Sequence, residues 1–326
     1  MKRKVALVTG GLSGEAQISY KSAITVGNNV DLTKYDLYKI DINATGWWYE
    51  NAVGEKSLVN RDDFSIVDNG NTIHFDVALM CIHGTPGEDG KLQGYFDMLG
   101  IPYTSCDAAT SALTMNKRYT VAVAAFGGIN VARSMHLFSH TPVGVEVILA
   151  KLQLPLFVKP NNGGSSIGMS KVNTAEELAP ALAKAFKEDH QILVEEFISG
   201  REFTIGVFKQ GNTISVLPIT EISTQNEFFD FEAKYQGKSI ETTPAIIDDT
   251  MKQHLSDAAK SVYEIFNCRG VVRIDFIYDT LQQKPYMLEV NTVPGQSDAS
   301  VIPQQVKAMG MRLTDFYSAV IEQAFH

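Results

Sequence analysis

No stretch of the chain comes near the roughly 18 consecutive apolar residues that a membrane span needs, so an integral membrane protein is not expected. Its opening, MKRKVALVTGG, begins with charge but continues with an apolar run too short for a secretory signal. Cysteine is scarce. Cys81, Cys106 and Cys268 give an odd count and no metal-like spacing, which disfavours a disulfide scaffold or a zinc site. They read as reduced core thiols of a cytoplasmic protein. Basic charge is in deficit, 28 Lys and Arg against 37 Asp and Glu for a net charge of −9. That argues against nucleic acid or an anionic membrane as the main partner, although a few local Lys and Arg can still hold a nucleotide. Two phosphate-binding signatures are incomplete as well. A TGxxxGxG dinucleotide turn lacks its last glycine at Ala16, and a Walker A loop lacks its lysine, because Met169 follows Gly168.

What is present is an ordinary globular composition, 44% hydrophobic and 20% charged, over 326 residues, enough for two or three domains. VALVT reads as a buried strand entering GGLSGEAQISYKSAITVGNNV, a strand–Gly turn–helix unit that opens many α/β domains. Glu15 sits at the helix start, where favourable interaction with the helix dipole would explain it. YDLYKIDI and HFDVALMCIHG read as further strands. The loop HGTPGEDGKLQG, with His83, Glu88 and Asp89, lies at a strand's carboxyl end, where α/β sheets bind ligands. LPLFVKPNNGGSSIG delivers Lys159 at a strand end and then a Gly/Ser loop, including Ser165 and Ser166, able to wrap phosphates. TAEELAPALAKAF reads as a helix with a Thr174–Glu177 capping box, and LTDFYSAVIEQAF as a closing helix capped by Thr314. Glu195, Glu196 and Glu202, around Gly200, could bind an adenine amino group and ribose hydroxyls, or could be edge-strand charges. The long polar run that follows, about 223–245 with Lys234 and Tyr235 at its centre, has the character of a lid.

The densest signal is GVVRIDFIYD–TLQQK–PYMLEVN, two alternating strands joined by a polar connection. Paired antiparallel, they put Arg273, Asp275, Glu289 and Asn291 on one face, with Val272, Ile274, Phe276, Leu288 and Val290 towards a core. Two carboxylates and a carboxamide offer only oxygen, which suits Mg²⁺ completed by phosphate oxygens, hence a nucleotide. A solvated strand face with a surface salt bridge is the other reading of those four residues. The following NTVPGQSDAS, a Pro-Gly turn with small hydroxyl residues, favours a substrate cradle.

Seven stretches in order, GGLSGEAQIS, HGTPGEDGKLQG, VKPNNGGSSIG, VEEFISGREFT, FFDFEAKY, RIDF and LEVNTVPGQSDAS, resemble the D-alanine–D-alanine ligases of the ATP-grasp superfamily. The resemblance covers nearly the whole chain. It implies an α/β (α+β) fold of three domains: a Rossmann-like domain over 1–104, a central ATP-grasp subdomain over 105–190, and a C-terminal one over 191–326 carrying the lid. It implies ATP-dependent joining of two D-alanines through a D-alanyl phosphate for peptidoglycan precursors, with Mg²⁺ (Mn²⁺ as an alternative), in a cytoplasmic homodimer. By the resemblance, Asp275, Glu289 and Asn291 hold the metal, and Lys117, Lys159 and Ser166 contact phosphates. Glu195, Glu196, the Phe197–Ile198 backbone and Glu202 take adenine and ribose. Arg273 and the Gly295 N–H stabilise the oxyanion of the tetrahedral carbon. Glu15 pairs with the first alanine's ammonium, Ser300 and Lys234 hold the second's carboxylate, His83 is a further substrate-binding residue, and Ser165 with Tyr235 links Glu15 to the lid.

Two departures from the family pattern stand out. Asn116 replaces the usual Asp before Lys117, and Gln296-Ser297 replaces Met-Thr after the Pro-Gly. Two rival readings remain: a ligase joining D-alanine to a hydroxy acid such as D-lactate, and a nucleotide-binding regulator without turnover. Tyr235 favours the dipeptide-forming type, and a regulator has no need of an oxyanion-stabilising Arg273.

Overall fold

The computed structural model describes residues 2–51, 53–162, 167–224 and 239–326. Strand β1 (Arg3–Gly10) carries VALV with no more than 2% exposure, as a strand covered on both faces requires. After it come α1 (Ala16–Asn29), β2 (Tyr35–Asn43), β3 (Gly46–Glu50), β4 (Lys56–Leu58), the small pair β5 (Ile66–Asp68) and β6 (Asn71–Ile73), β7 (Val77–Met80) and α2 (Lys91–Leu99). The first sheet runs β4-β3-β2-β1-β7, with β1 parallel to both β2 and β7. Alternation divides β1 between two cores. Ala6 and Val8 pack with Phe64 and Phe96, while Val5 and Leu7 pack with Val26 and with Phe316 and Tyr317 from the end of the chain.

The middle of the chain supplies α3 (Ala108–Met115), α4 (Lys117–Phe126), β8 (Ser134–Phe138), α5 (Val145–Leu149), β9 (Leu156–Pro160), β10 (Ser170–Val172), α6 (Ala175–Glu188) and β11 (Gln191–Glu196). These strands form an antiparallel sheet, β10-β9-β11-β8. Leu156, Val158, Ile192 and Val194 face α6 in a shared core, which leaves the alternate residues Phe157, Lys159, Leu193 and Glu195 on the opposite face. The chain closes with β12 (Arg201–Gln210), β13 (Thr213–Val216), β14 (Thr220–Thr224), β15 (Ser239–Thr242), α7 (Asp249–Ile265), β16 (Val271–Asp279), β17 (Lys284–Asn291), α8 (Val301–Ala308) and α9 (Leu313–Gln323). Its sheet runs β15-β14-β12-β16-β17, with β13 on β12. Phe203, Ile205, Val207, Ile274, Phe276 and Val290 bury against Leu255, Ala259 and Val262 of α7. Phe208, Leu217, Val271, Ile302 and Phe316 share one core with Val5, Leu7 and Val26, which ties the third sheet to the first. No described helix is long and apolar enough to cross a membrane.

Four local expectations are corrected. The run SALTMNKRYTVAVAAFGG has the pattern of a single helix but forms two that meet at Asn116, which ends α3 and caps α4 by accepting from the Tyr119 N–H at 3.2 Å. Thr174 is the N-cap position of α6 as expected, but its side chain makes no cap bond, and Glu177 accepts from the Asn173 N–H at 2.7 Å. The closing helix starts at Leu313 after Arg312, so Thr314 lies inside it, not at its cap. In the hairpin, a bulge opens between Asp275 and Phe276: Asp275 pairs with Glu289 but Phe276 pairs with Met287. Met287 is therefore the buried core residue, and Leu288 is only half-buried. Within the expected lid, β15 pairs with β14, so the described ends of that segment are paired strands.

Candidate active site

The β16–β17 register does what alternation implied. Arg273 stands opposite Asn291 and Asp275 opposite Glu289, and β12 adds Thr204 opposite Asp275. Arg273 grips Asp275 in a fork, Nε to Oδ1 at 3.0 Å and Nη2 to Oδ2 at 2.9 Å, with Glu289 Oε1 3.9 Å from Nη2. Burial works against the guanidinium's charge, but Asp275, Glu289 and Glu88 outweigh it and its pKa is raised, so Arg273 is a fixed cation. Thr204 Oγ1 donates to Asp275 Oδ1 at 2.5 Å and Asn291 Nδ2 to Oδ2 at 3.3 Å. Among the described residues no three His, Cys, Asp or Glu side chains form a metal cage by themselves. Two carboxylates and an amide fit a hard cation that takes its remaining oxygens from a phosphate.

On the polar face of the central sheet, Lys159 Nζ and Glu195 Oε2 lie 2.5 Å apart, both largely buried, so two residues assigned to one nucleotide are each other's partners. Asn161 binds the start of α4 through its carbonyl to the Lys117 N–H at 3.1 Å and its Oδ1 to the Arg118 N–H at 2.8 Å. Lys117 is thereby placed beside the strand that carries Lys159. Asn116 also reaches across to Asn162 Oδ1 at 3.4 Å. That capping job is one Asn performs as well as Asp. Glu196 accepts from the Gln153 N–H at 2.9 Å and pairs with Arg133 at 3.2 Å. The Phe197 N–H is used by the Pro155 carbonyl at 2.9 Å. Glu202 lies on β12 opposite Ile277. Ser165, Ser166, Lys234 and Tyr235 lie outside the described residues.

A third group gathers where the loop after β17 meets the first sheet. Glu15 precedes α1 without a side-chain cap bond, and its carboxylate lies against Gly84, where an added Cβ would come within 2.6 Å of Oε2. His83 is 5% exposed and uses both ring nitrogens: Nδ1 with the Val293 carbonyl at 2.6 Å and Nε2 with Ser22 Oγ at 2.9 Å. A carbonyl can only accept, so Nδ1 carries the proton and Nε2 accepts from Ser22. Ser22 Oγ also accepts from the Gln296 N–H at 3.0 Å. Burial lowers the His83 pKa to about 4, leaving it neutral. Glu88 accepts from the Gly84 N–H at 2.7 Å and the Val293 N–H at 3.0 Å, and burial with Glu15 nearby pushes it up to about 7. Gly295 is pressed against Ser300, whose Oγ would be 2.7 Å from an added Cβ, and Ser300 and Ser297 share a 2.8 Å hydroxyl contact. The Tyr317 hydroxyl donates to Gln296 Oε1 at 3.2 Å, so Gln296 is a buried strut.

Sequence reasoning did not single out Thr204 or Ser22, and noted Glu88 only as part of a rich loop. The alternation of REFTIGVF already put Thr204 on the polar face beside Glu202, but which strand it adjoins is a tertiary fact.

The chain matches the family models described as the D-ala D-ala ligase N-terminus over residues 4–106 and C-terminus over 117–322. It is 43% identical to the D-alanine–D-alanine ligase of Parabacteroides distasonis, covering 99% of this chain and 97% of that protein. It is 44% identical to that of Flavobacterium johnsoniae, covering 98% of each. Among solved structures it resembles the VanG D-Ala:D-Ser ligase from Enterococcus faecalis (TM-score 0.88, 30% identity, 99% of this chain and 100% of that one). It also resembles the Bacillus anthracis D-alanine–D-alanine ligase complexed with ATP (TM-score 0.79, 27% identity, 99% and 97%).

Proposed function

The chain belongs to the D-alanine–D-alanine ligase family, and from that premise we infer that it condenses two D-alanines to D-alanyl-D-alanine, with ATP cleaved to ADP and phosphate, for cell-wall precursor synthesis. The observation that carries the reading is the paired face of Arg273, Asp275, Glu289 and Asn291.

A carboxylate is a poor electrophile, so the first D-alanine takes the γ-phosphoryl group and becomes an acyl phosphate. Lys117 and Lys159 steady the phosphates, and Lys159 must exchange Glu195 for them, which leaves Glu195 free to accept from the adenine amino group. Asp275, Glu289 and Asn291 would hold Mg²⁺, with Mn²⁺ as a substitute. The cation supplies charge neutralisation at the phosphoryl oxygens. The second D-alanine's amine then attacks the acyl carbon, and phosphate leaves. Arg273, a fixed cation, and the Gly295 N–H stabilise the oxyanion that develops there. Glu15 balances the first ammonium, while Ser300 with Lys234 takes the second carboxylate. Ser166 on the phosphates, and Ser165 with Tyr235 as the link from Glu15 to the lid, complete this assignment. His83, with both ring nitrogens engaged and neutral, supports the substrate site by fixing the Val293–Gln296 segment. We take the three sheets to mark domains at 1–104, 105–190 and 191–326, with ATP between the second and third, in a cytoplasmic homodimer.

The test is product analysis with ATP, D-alanine and one competitor, D-lactate, D-serine or L-alanine, across pH 6 to 9. D-Ala–D-Ala is expected to exceed D-Ala–D-lactate at pH 7, increasingly so as pH rises and the attacking ammonium loses its proton. Dominant D-Ala–D-lactate at pH 7 would overturn the substrate assignment, and no product with any partner would favour the regulator.

A further inference from the structure

Asp275 is 9% exposed and its two oxygens are held unequally. Oδ1 accepts two short bonds, from Thr204 Oγ1 at 2.5 Å and Arg273 Nε at 3.0 Å. Oδ2 accepts Arg273 Nη2 at 2.9 Å and only a longer bond, 3.3 Å, from Asn291 Nδ2. A carboxylate offers about four lone-pair sites. Three are firmly taken, and the one left to Asn291 is the weakest. Arg273 alone would let the carboxylate pivot with the guanidinium, whereas the bond from Thr204 comes from a different strand and fixes the plane.

Thr204 is itself immobilised. It is 4% exposed, lies opposite Asp275 in the β12–β16 register, and its carbonyl accepts from Gln305 Nε2 at 2.9 Å. Gln305, fully buried on α8, also accepts from the Gly206 N–H at 3.0 Å and donates to Thr220 Oγ1 at 3.0 Å, which binds β12 and β14 to one helix. The segment that bears Thr204 is therefore clamped on the helix side, while its hydroxyl points at the carboxylate.

We propose that Thr204 is a positioning residue for the metal site, holding Asp275 by Oδ1 so that Oδ2 is presented to the cation. The inference rests on Asp275 being a metal ligand, as read above. Partners that orient a ligating carboxylate are worth 10–100-fold in metal affinity.

The probe is Mn²⁺, titrated by electron paramagnetic resonance into the full-length chain with ADP and without D-alanine. Thr204→Val keeps the β-branched shape the strand prefers, and Thr204→Ala carries the test should that variant not fold. Both are expected to weaken Mn²⁺ binding about 10–100-fold, with metal-free ADP binding unchanged, and Thr204→Ser, which keeps the hydroxyl, is expected to restore it. Wild-type Mn²⁺ affinity in the Val and Ala variants, while Asp275→Asn loses it, overturns the role of Thr204 alone. Wild-type affinity in Asp275→Asn overturns the ligand assignment beneath it. Equal loss of metal-free ADP binding would mark Thr204 as a structural residue and also overturn the proposal.

Discussion

The hairpin face and the loop cluster around His83 handle charge in opposite ways. On the hairpin, Arg273 and Asp275 sit two residues apart on one strand in a bidentate fork, and the acids around the guanidinium raise its pKa. In the cluster, burial suppresses charge: His83 falls to about 4 and Glu88 rises to about 7, and each is held by groups far along the chain. Val293 is 210 residues from His83 and 205 from Glu88. The difference assigns two kinds of work. A charged array suits the phosphoryl transfer proposed above, while the buried network holds the loop that carries Gly295 and Ser300.

If that division holds, hairpin variants lose activity and cluster variants lose stability. The largest expected effect is Glu289→Gln, which removes a charge from the proposed metal site. Several kcal/mol of barrier correspond to a fall in kcat of about 10³-fold or more, with the melting temperature little changed. Near-normal phosphate release at saturating Mg²⁺ would remove Glu289 from the site. Arg273→Lys keeps the charge but not the fork, and kcat should fall about 10²–10³-fold, as steady-state kinetics can show.

The same contrast explains what was readable from sequence. Arg273, Asp275, Glu289 and Asn291 were legible because a strand's two-residue period assigns faces locally. Lys159 was legible for the same reason, at the end of a strand whose alternate residues are buried. The bulge that exchanges Leu288 for Met287 was not, since it depends on how two strands register. Thr174 and Thr314 are good capping residue types, yet Thr174 precedes its helix without a side-chain cap bond and Thr314 lies inside the closing helix, because residue type alone does not set the local backbone geometry. Ser22 reads as one more position on an amphipathic helix. Only the fold brings it to His83 and Gln296.

Ser22→Ala sharpens the comparison from the other side. It leaves His83 Nε2 and the Gln296 N–H without a partner, at a cost of about 1–3 kcal/mol of stability in urea unfolding. A variant as stable as wild type would mean the cluster does not hold the loop. The smallest effect concerns pH. Folded Glu88 keeps its proton to about pH 7, whereas its ordinary value is 4.5, so its contribution to stability is full below 4.5 and lost as pH rises through 7. His83 runs the other way: its contribution is full above 6.5 and lost as pH falls towards about 4. Glu88→Gln should therefore gain stability relative to wild type as pH rises from 4.5 to beyond 7, and parallel stability–pH curves would contradict the burial of that charge.

The most direct test of the hairpin as a phosphoryl-transfer centre follows oxygen. D-alanine labelled with ¹⁸O at both carboxylate positions is turned over with unlabelled ATP, and the released phosphate is weighed by mass spectrometry. Attack of the carboxylate on the γ-phosphorus, followed by expulsion of phosphate by the second amine, carries one labelled oxygen into each phosphate and leaves one in the peptide bond. One ¹⁸O per phosphate is the predicted result, and phosphate free of label alongside dipeptide formation would contradict the acyl phosphate and the role given to Arg273, Asp275, Glu289 and Asn291.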